Sequence, residues 1–366
     1  MAIPVPCDVP DVVMTLTAPT DSQSGDDACQ CGGRGVLLPS QRRTARHWVV
    51  VRFGWQRREL TGGKVKLNEE AVAQALFRNE KVRNRIATDY GLENPADSPL
   101  EFVDQVVHSF DQAPSPDPLA PLPNATVFEA AVLALASNSR SWATFLKTKS
   151  QLYDVLGGLE LAEARDATPA TLAKFLTGST GNSDAGAIVK WAKLLSDLDD
   201  KGVNYYDGVI ALADWIKDRA TAAGIADLPN EHLMLCLVGH LMDEPPKRWA
   251  GPRVGKLNGM RFALGSEFFR NLGWNGFKPD RHVIRLLDCW APELVKQQEG
   301  IANRLAPLTG RKSAEIGQMM RYSLAGIAIS SSENYSRTDN LIWLLGANVE
   351  TKRKGCPERD ARYVTL

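Results

Sequence analysis

What the chain lacks narrows it first. No apolar run approaches the roughly 20 residues that span a bilayer, so no transmembrane helix is expected. Met1 to Pro10 has no basic segment followed by an apolar one, so no secretory leader is expected and a soluble, cytoplasmic protein is. The GxxxxGK[ST] phosphate loop, the HExxH helix and a GxGxxG turn after a strand are all missing. NTPase, zincin and dinucleotide-binding readings lose their usual support with them. Six cysteines stand at 7, 29, 31, 236, 289 and 356. Cys29-Gln30-Cys31 has no second Cys or His pair at a zinc-site interval, so reduced thiols are expected, with no metal and no cofactor. No sequence repeat of fixed period occurs, which excludes a solenoid.

What is present is ordinary in amount and uneven in placement. The chain has 366 residues, 44% hydrophobic and 23% charged, enough to build a core without disulfides. Lysine plus arginine and aspartate plus glutamate balance at 43 each. Residues 231–366 nevertheless hold 20 basic and 14 acidic side chains, against 23 and 29 in the first 230. Between Pro245 and Arg285 nine basic residues face only Glu267 and Asp280, a local excess suited to a polyanion.

Residues 1–45 are polar and rich in Ser, Gly and Pro, and read as a flexible tail. An N-terminal extension, 46–112, follows. It opens on the β-branched and aromatic run His47 to Trp55, the expected strand, and continues with amphipathic stretches at about 68–88 and 98–110. Five of the 21 prolines fall within 113–123, so 113–124 reads as a stiff linker and a domain boundary. From 125 to 366 the apolar spacing is helical almost throughout. Helices are expected over 128–137, 142–156, 169–176, 185–198, 207–223 and 230–242, then over 260–272, 281–290, 293–306, 312–330 and 338–346. The expected fold class is mainly α, with one short strand in the extension.

The segment most able to carry chemistry runs from Met260 to Leu287. It reads as a helix, a tight aromatic loop Gly273-Trp274-Asn275-Gly276-Phe277, and a second helix. Pro279 disfavours helix at Lys278, and Asp280 stands where an N-cap belongs, a role worth about 1 kcal/mol. On spacing alone Asp280 need be nothing more than that cap.

Asp280-Arg281-His282-Val283, with Arg285 three residues after the histidine, resembles the end of the helix-hairpin-helix DNA glycosylase signature. Phe128-Glu129 through Ser141-Trp142-Ala143-Thr144-Phe145-Leu146-Lys147 is similar to the opening of the 3-methyladenine DNA glycosylase I group. Thr338-Asp339-Asn340-Leu341-Ile342-Trp343 resembles the closing helix of endonuclease III-like members. The resemblance covers about 125–356. It implies a two-subdomain helical core that acts on double-stranded DNA with a damaged or modified base, in which Asp280 is the catalytic carboxylate. Base flipping then calls for a pocket of aromatics and amides facing Asp280, for which Ser137, Asn138, Trp142 and Tyr322 are the candidates. The hairpin and its surroundings would grip phosphate through Arg253, Gly255, Lys256, Asn258, Gly259, Arg261 and Lys278. His282 is expected to fix the turn.

The departures shape the expectation. The family hairpin is degenerate here, with Gly255-Lys256-Leu257-Asn258-Gly259 its nearest equivalent. Arg261 or Phe262 occupies the position of the Schiff-base lysine, which implies a monofunctional hydrolase leaving an intact abasic site. Ala134 stands where the 3-methyladenine group has its base-reading glutamate, and neither subgroup's zinc or iron–sulfur ligands have counterparts. Such a chain would serve DNA repair or defence against modified phage DNA. Two other readings stay open: a non-catalytic helix-hairpin-helix DNA-binding protein, in which Asp280 is only a cap, and an all-α interaction protein.

Overall fold

Asparagine caps divide the amphipathic stretch after residue 65. The Asn68 side chain accepts the Ala71 N–H and starts one helix, and Asn79 accepts the Val82 N–H and starts the next. The single stretch expected over 68–88 is therefore two helices, α1 (Glu69–Arg78) and α2 (Glu80–Asp89), followed by α3 (Pro99–His108). This computed structural model describes residues 65–110, 112–242, 254–309, 314–350 and 361–365, and they form a mainly α fold. The tail 1–45, the strand expected at 47–55, Arg253, Cys7, Cys29, Cys31 and Cys356 lie outside the described residues. All described residues belong to one compact unit.

Two hydrophobic clusters organise that unit. The first is built by α4 (Asn124–Ala136), α5 (Trp142–Leu146), α6 (Lys149–Val155), α7 (Leu161–Ala164), α8 (Pro169–Leu172), α9 (Gly181–Asp199), α10 (Tyr205–Ala222), α11 (Asn230–Leu241) and α12 (Phe262–Asn271). α4 packs on both α9 and α12, which explains why it is apolar nearly all round. The expected 142–156 helix breaks at Thr148, whose hydroxyl donates to the Phe145 carbonyl in place of a continuing ladder.

The second cluster joins α13 (Arg281–Trp290), α14 (Pro292–Gln297) and α17 (Tyr335–Asn348) to α1 and α3. α15 (Glu299–Leu305) packs on α16 (Ala314–Ile329), and α16 serves both clusters. Ile316, Met320 and Leu324 belong to the first, Ala325 and Ile329 to the second. A two-residue ladder, Lys66–Leu67 against Val364–Thr365, ties the two ends of the described chain together.

This arrangement corrects the expected division of the chain. Residues 65–110 are no appendage, because Phe102, Val103 and Val106 are buried in one core with Val283, Leu286 and Leu345. Nor do residues 113–123 separate two bodies. The Ser115 N–H donates to the Gly273 carbonyl at 2.8 Å, and the Pro118 carbonyl accepts the Tyr206 hydroxyl. The prolines exclude helix and leave a strap fastened across the molecule. Among the cysteines, Cys236 is a buried free thiol, whereas Cys289 is disulfide-bonded, contrary to the expectation of reduced thiols.

Between α11 and α12 the chain makes the turn that positions the site. The Leu257 N–H returns to the Leu241 carbonyl at 2.7 Å, and the Met260 N–H closes on Leu257. Two carbonyls point inward, Gly255 accepting from the Tyr205 hydroxyl and Asn258 from the Trp191 indole. Gly259 has φ +76°, and a Cβ there would lie 2.5 Å from that of Ala187. Left-handed backbone and a clash both act against any side chain, so Gly259→Ala should lose about 2 kcal/mol of stability. Urea unfolding of the variant checks this, and an unchanged midpoint and slope would show that the turn is not held as described.

Candidate active site

The loop from Leu272 to Pro279 brings α12 to α13 and delivers Asp280 to the first position before the helix. Asp280 Oδ1 accepts the N–H groups of His282 at 2.8 Å and Val283 at 3.0 Å. Among the described residues Oδ2 makes no hydrogen bond, so half the carboxylate is committed to the cap. Asp280 lines a cleft of about 280 Å³ whose walls come from both hydrophobic clusters. Ser137, Asn138 and Trp142 stand on one side, Phe110, His282 and Trp343 on the other, and Glu267, Arg270, Lys278 and Asp339 between them.

The sequence-derived pocket is thus assembled in part. Ser137, Asn138 and Trp142 share the cleft with Asp280. Tyr322 does not: its hydroxyl donates to Asp288 at 2.8 Å and its ring lies in the second cluster. Burial and the Asp288 carboxylate push that phenol up to about 12. Lys278 is likewise placed differently from a phosphate contact. Its ammonium sits within the cleft, 3.3 Å from Ser137 Oγ and 3.8 Å from Glu267 Oε2, with its side chain only 12% exposed. Lys256 and Arg261 are exposed on and beside the turn, near Gly255, Asn258 and Gly259. The N–H groups of Lys256, Asn258 and Gly259 have no partner among the described residues.

Behind the cleft lies a buried ionic cluster that sequence reasoning missed. Arg270 Nη1 donates to Glu267 at 2.9 Å and to Asp339 at 2.6 Å. Its Nη2 donates to Asn340 at 2.6 Å, Gln112 at 2.8 Å and the Ser336 carbonyl at 3.2 Å. Gln112 also donates to Glu267, at 2.9 Å. Asp339 reaches forward through its other oxygen, which accepts the Lys278 N–H at 3.0 Å. One available signal was the Glu267–Arg270 pair at i, i+3 within the apolar run of α12. The other was Asp339-Asn340 in the quoted closing motif, where the resemblance assigned no role.

The two buried carboxylates respond in opposite directions. Burial raises Glu267, but Lys278, Arg270 and the bond from Gln112 outweigh it and hold the group below its ordinary value. Burial raises Asp339 more than Arg270 lowers it, and Asp280 and Glu267 add to the rise, so this carboxyl is pushed up to about 7. His282 is pushed down, first by burial and then by Arg281 and Arg285, while Asp280 opposes the shift. The other wall is fixed by Arg140, which donates to the Leu135 and Ala136 carbonyls and pairs with Asp184 at 2.5 Å. Asp184 also accepts from Asn138 at 2.9 Å. Ala134 is fully buried, its carbonyl accepting the Ser137 hydroxyl, and it does not line the cleft. Among the described residues no group of three or more His, Cys, Asp and Glu is placed to hold a metal ion.

Chemically, the cleft offers a partly uncommitted carboxylate, an ammonium, a hydroxyl, an amide and two indole faces. No protein-family model, curated protein or solved structure matches this chain.

The raised Asp339 carboxyl makes stability depend on pH. A folded-state value of about 7 above an ordinary value near 3.8 means that the folded protein holds the proton more tightly. Its contribution is complete below about pH 4 and is lost as pH rises through 7. Asp339→Asn removes the titration, so the stability of wild type relative to the variant should fall steadily between pH 4 and 7. Urea unfolding of both proteins across that window measures it, and a constant difference would contradict the assignment.

Proposed function

We propose that this chain is a DNA N-glycosylase, a hydrolase that releases a damaged or hypermodified base from duplex DNA and leaves an abasic site. The observation that carries the proposal is Asp280, set on a helix cap with one oxygen uncommitted, in a cleft of nucleotide size between two helical clusters. The turn between α11 and α12, with its unpaired N–H groups and exposed Lys256 and Arg261, supports a phosphate contact next to that cleft. The family resemblance carried by the Asp280 and Trp142 segments supports the same reading.

The chemistry follows from the geometry. Flipping places the nucleotide in the cleft, where Trp142 and Trp343 offer aromatic faces. As the C1′–N bond lengthens, its electron pair moves onto the base and positive charge grows on the sugar. The Asp280 carboxylate stabilises that charge and can take a proton from the attacking water. Water supplies the hydroxyl that ends on C1′ and the proton that ends on the base. The same scheme serves repair and defence against modified foreign DNA.

The cap geometry favours one competing reading, a non-catalytic DNA-binding protein in which Asp280 only starts α13. Asp280→Asn separates the two, because asparagine caps as well as aspartate but carries no charge. The variant should bind duplex DNA like the wild type and release base at least about a hundredfold more slowly. Release at the wild-type rate would remove Asp280 from catalysis. Oligonucleotides and phage DNAs of varied base modification, heated in alkali after incubation, supply the measurement.

A monofunctional reaction is expected as well. The position of the family's lysine holds Arg261 or Phe262, and the Lys278 amine is engaged by Ser137 and Glu267. Borohydride added during turnover should trap no covalent protein–DNA adduct, and strands should break only after alkali. An adduct would show that an amine of this chain attacks the sugar.

A further inference from the structure

Of the charged groups lining the cleft, Asp280 keeps one oxygen free and Arg281 is exposed to solvent, whereas the buried ones are largely engaged. Arg140 is bound by Asp184 and by main-chain carbonyls. Arg270 is 1% exposed and spends both terminal nitrogens on Glu267, Asp339, Asn340 and Gln112. Both Glu267 oxygens are taken, one by Gln112 and the other by Arg270 with Lys278 beyond it. Lys278 differs. It carries three N–H donors, and the described residues provide two acceptors, Ser137 Oγ and Glu267 Oε2. The remaining donor belongs to an ammonium that lines the same cleft as Asp280. The anchoring carboxylate comes from α12 and the hydroxyl from the end of α4, so two different helices hold the ammonium.

We propose that Lys278 is the specificity-determining residue of the cleft: its ammonium donates to an oxygen acceptor on a neutral base and stabilises that base as it leaves. The proposal rests on the glycosylase reading and names the substrate class within it. A neutral base departs with the electron pair of the C1′–N bond, and the resulting negative charge spreads onto its ring carbonyl oxygens. A fixed ammonium beside such an oxygen stabilises the departing anion more than the bound ground state, which is the condition for acceleration. A base that is cationic through alkylation gains nothing from it. It departs neutral, and before departure it meets a like charge. The cleft therefore takes neutral bases bearing oxo groups rather than alkylated, positively charged ones.

Single-turnover base release tests this with duplexes carrying uracil, 5-hydroxymethyluracil, 8-oxoguanine or 7-methylguanine, the last as the cationic probe. The wild type should release at least one of the neutral bases in preference to 7-methylguanine. Lys278→Met should slow that release by about a hundredfold while slowing 7-methylguanine release at least tenfold less, and Lys278→Arg should restore part of the loss. Ser137→Ala, which removes one anchor and keeps the ammonium, should show the same selectivity in weaker form and covers the case in which Lys278→Met fails to fold. Equal slowing of neutral and cationic bases would make Lys278 structural and overturn the proposal. So would a wild-type preference for 7-methylguanine, but that result would leave the glycosylase reading intact. Release of no base from any duplex would overturn the glycosylase reading itself, and this inference with it.

Discussion

Arg270 is the constraint on which the site depends. A guanidinium with almost no exposure, 70 residues from one of its acceptors and 158 from another, joins α12, α17 and Gln112, the residue just before the strap, at a single point. Burying a charge costs several kcal/mol, and the return comes only when every donor finds an acceptor in good geometry. Its two terminal nitrogens meet that condition through two carboxylates, two amide oxygens and a carbonyl. Its Nε is buried without a partner, so the fit is close without being complete. A hydrophobic replacement of the same volume would hold the helices together as well. What it would not do is aim anything. The charged version fixes Asp339, and Asp339 holds the amide of Lys278, two residues before Asp280.

The same cluster sets the electrostatics of the cleft. Glu267 and Asp339 both touch Arg270, yet one is held down and the other pushed up. Lys278 lowers both, but at Glu267 it outranks Arg270 and the bond from Gln112 adds to it, whereas at Asp339 burial outweighs Arg270 and two carboxylates, Asp280 and Glu267, add to the rise. The cluster thus favours the protonated form of Asp339 up to about neutral pH. Groups so closely coupled titrate as a set, and the proton on Asp339 belongs to the arrangement as much as to the residue.

How much of this was legible in the chain follows from which signals are local. Helical periodicity located nearly every long helix, and Asp280 announced itself as a cap through Pro279 and the apolar run after it. Breaks such as Asn79 and Thr148 escaped because a single side chain competing for the backbone hardly disturbs the hydrophobic period. The strap misled for a different reason. Proline density shows that a segment is not helical, but says nothing of whether its carbonyls and amides are satisfied by solvent or by Gly273 and Tyr206. Tyr322 and Lys278 were misplaced because residue type does not reveal direction. A tyrosine on a helix that serves two cores can face either, and a lysine beside an aspartate can point to a phosphate or into a cleft. Gln112 and Asp339 meet the local Glu267–Arg270 pair across intervals that no sequence pattern connects.

The cap geometry of Asp280 shows how a helix-capping carboxylate can still present an oxygen to a cleft. Two main-chain N–H groups bind one oxygen, which fixes the direction of the carboxylate without occupying the other oxygen. A cap residue is also the point of a helix where its dipole favours negative charge. The loop before it is held independently, by Asp339 at the Lys278 amide. The anchors of Asp280 are thus separate from its free oxygen, and replacing the carboxylate by an amide changes charge while leaving both anchors in place. The cap uses one oxygen and leaves the other for whatever enters the cleft.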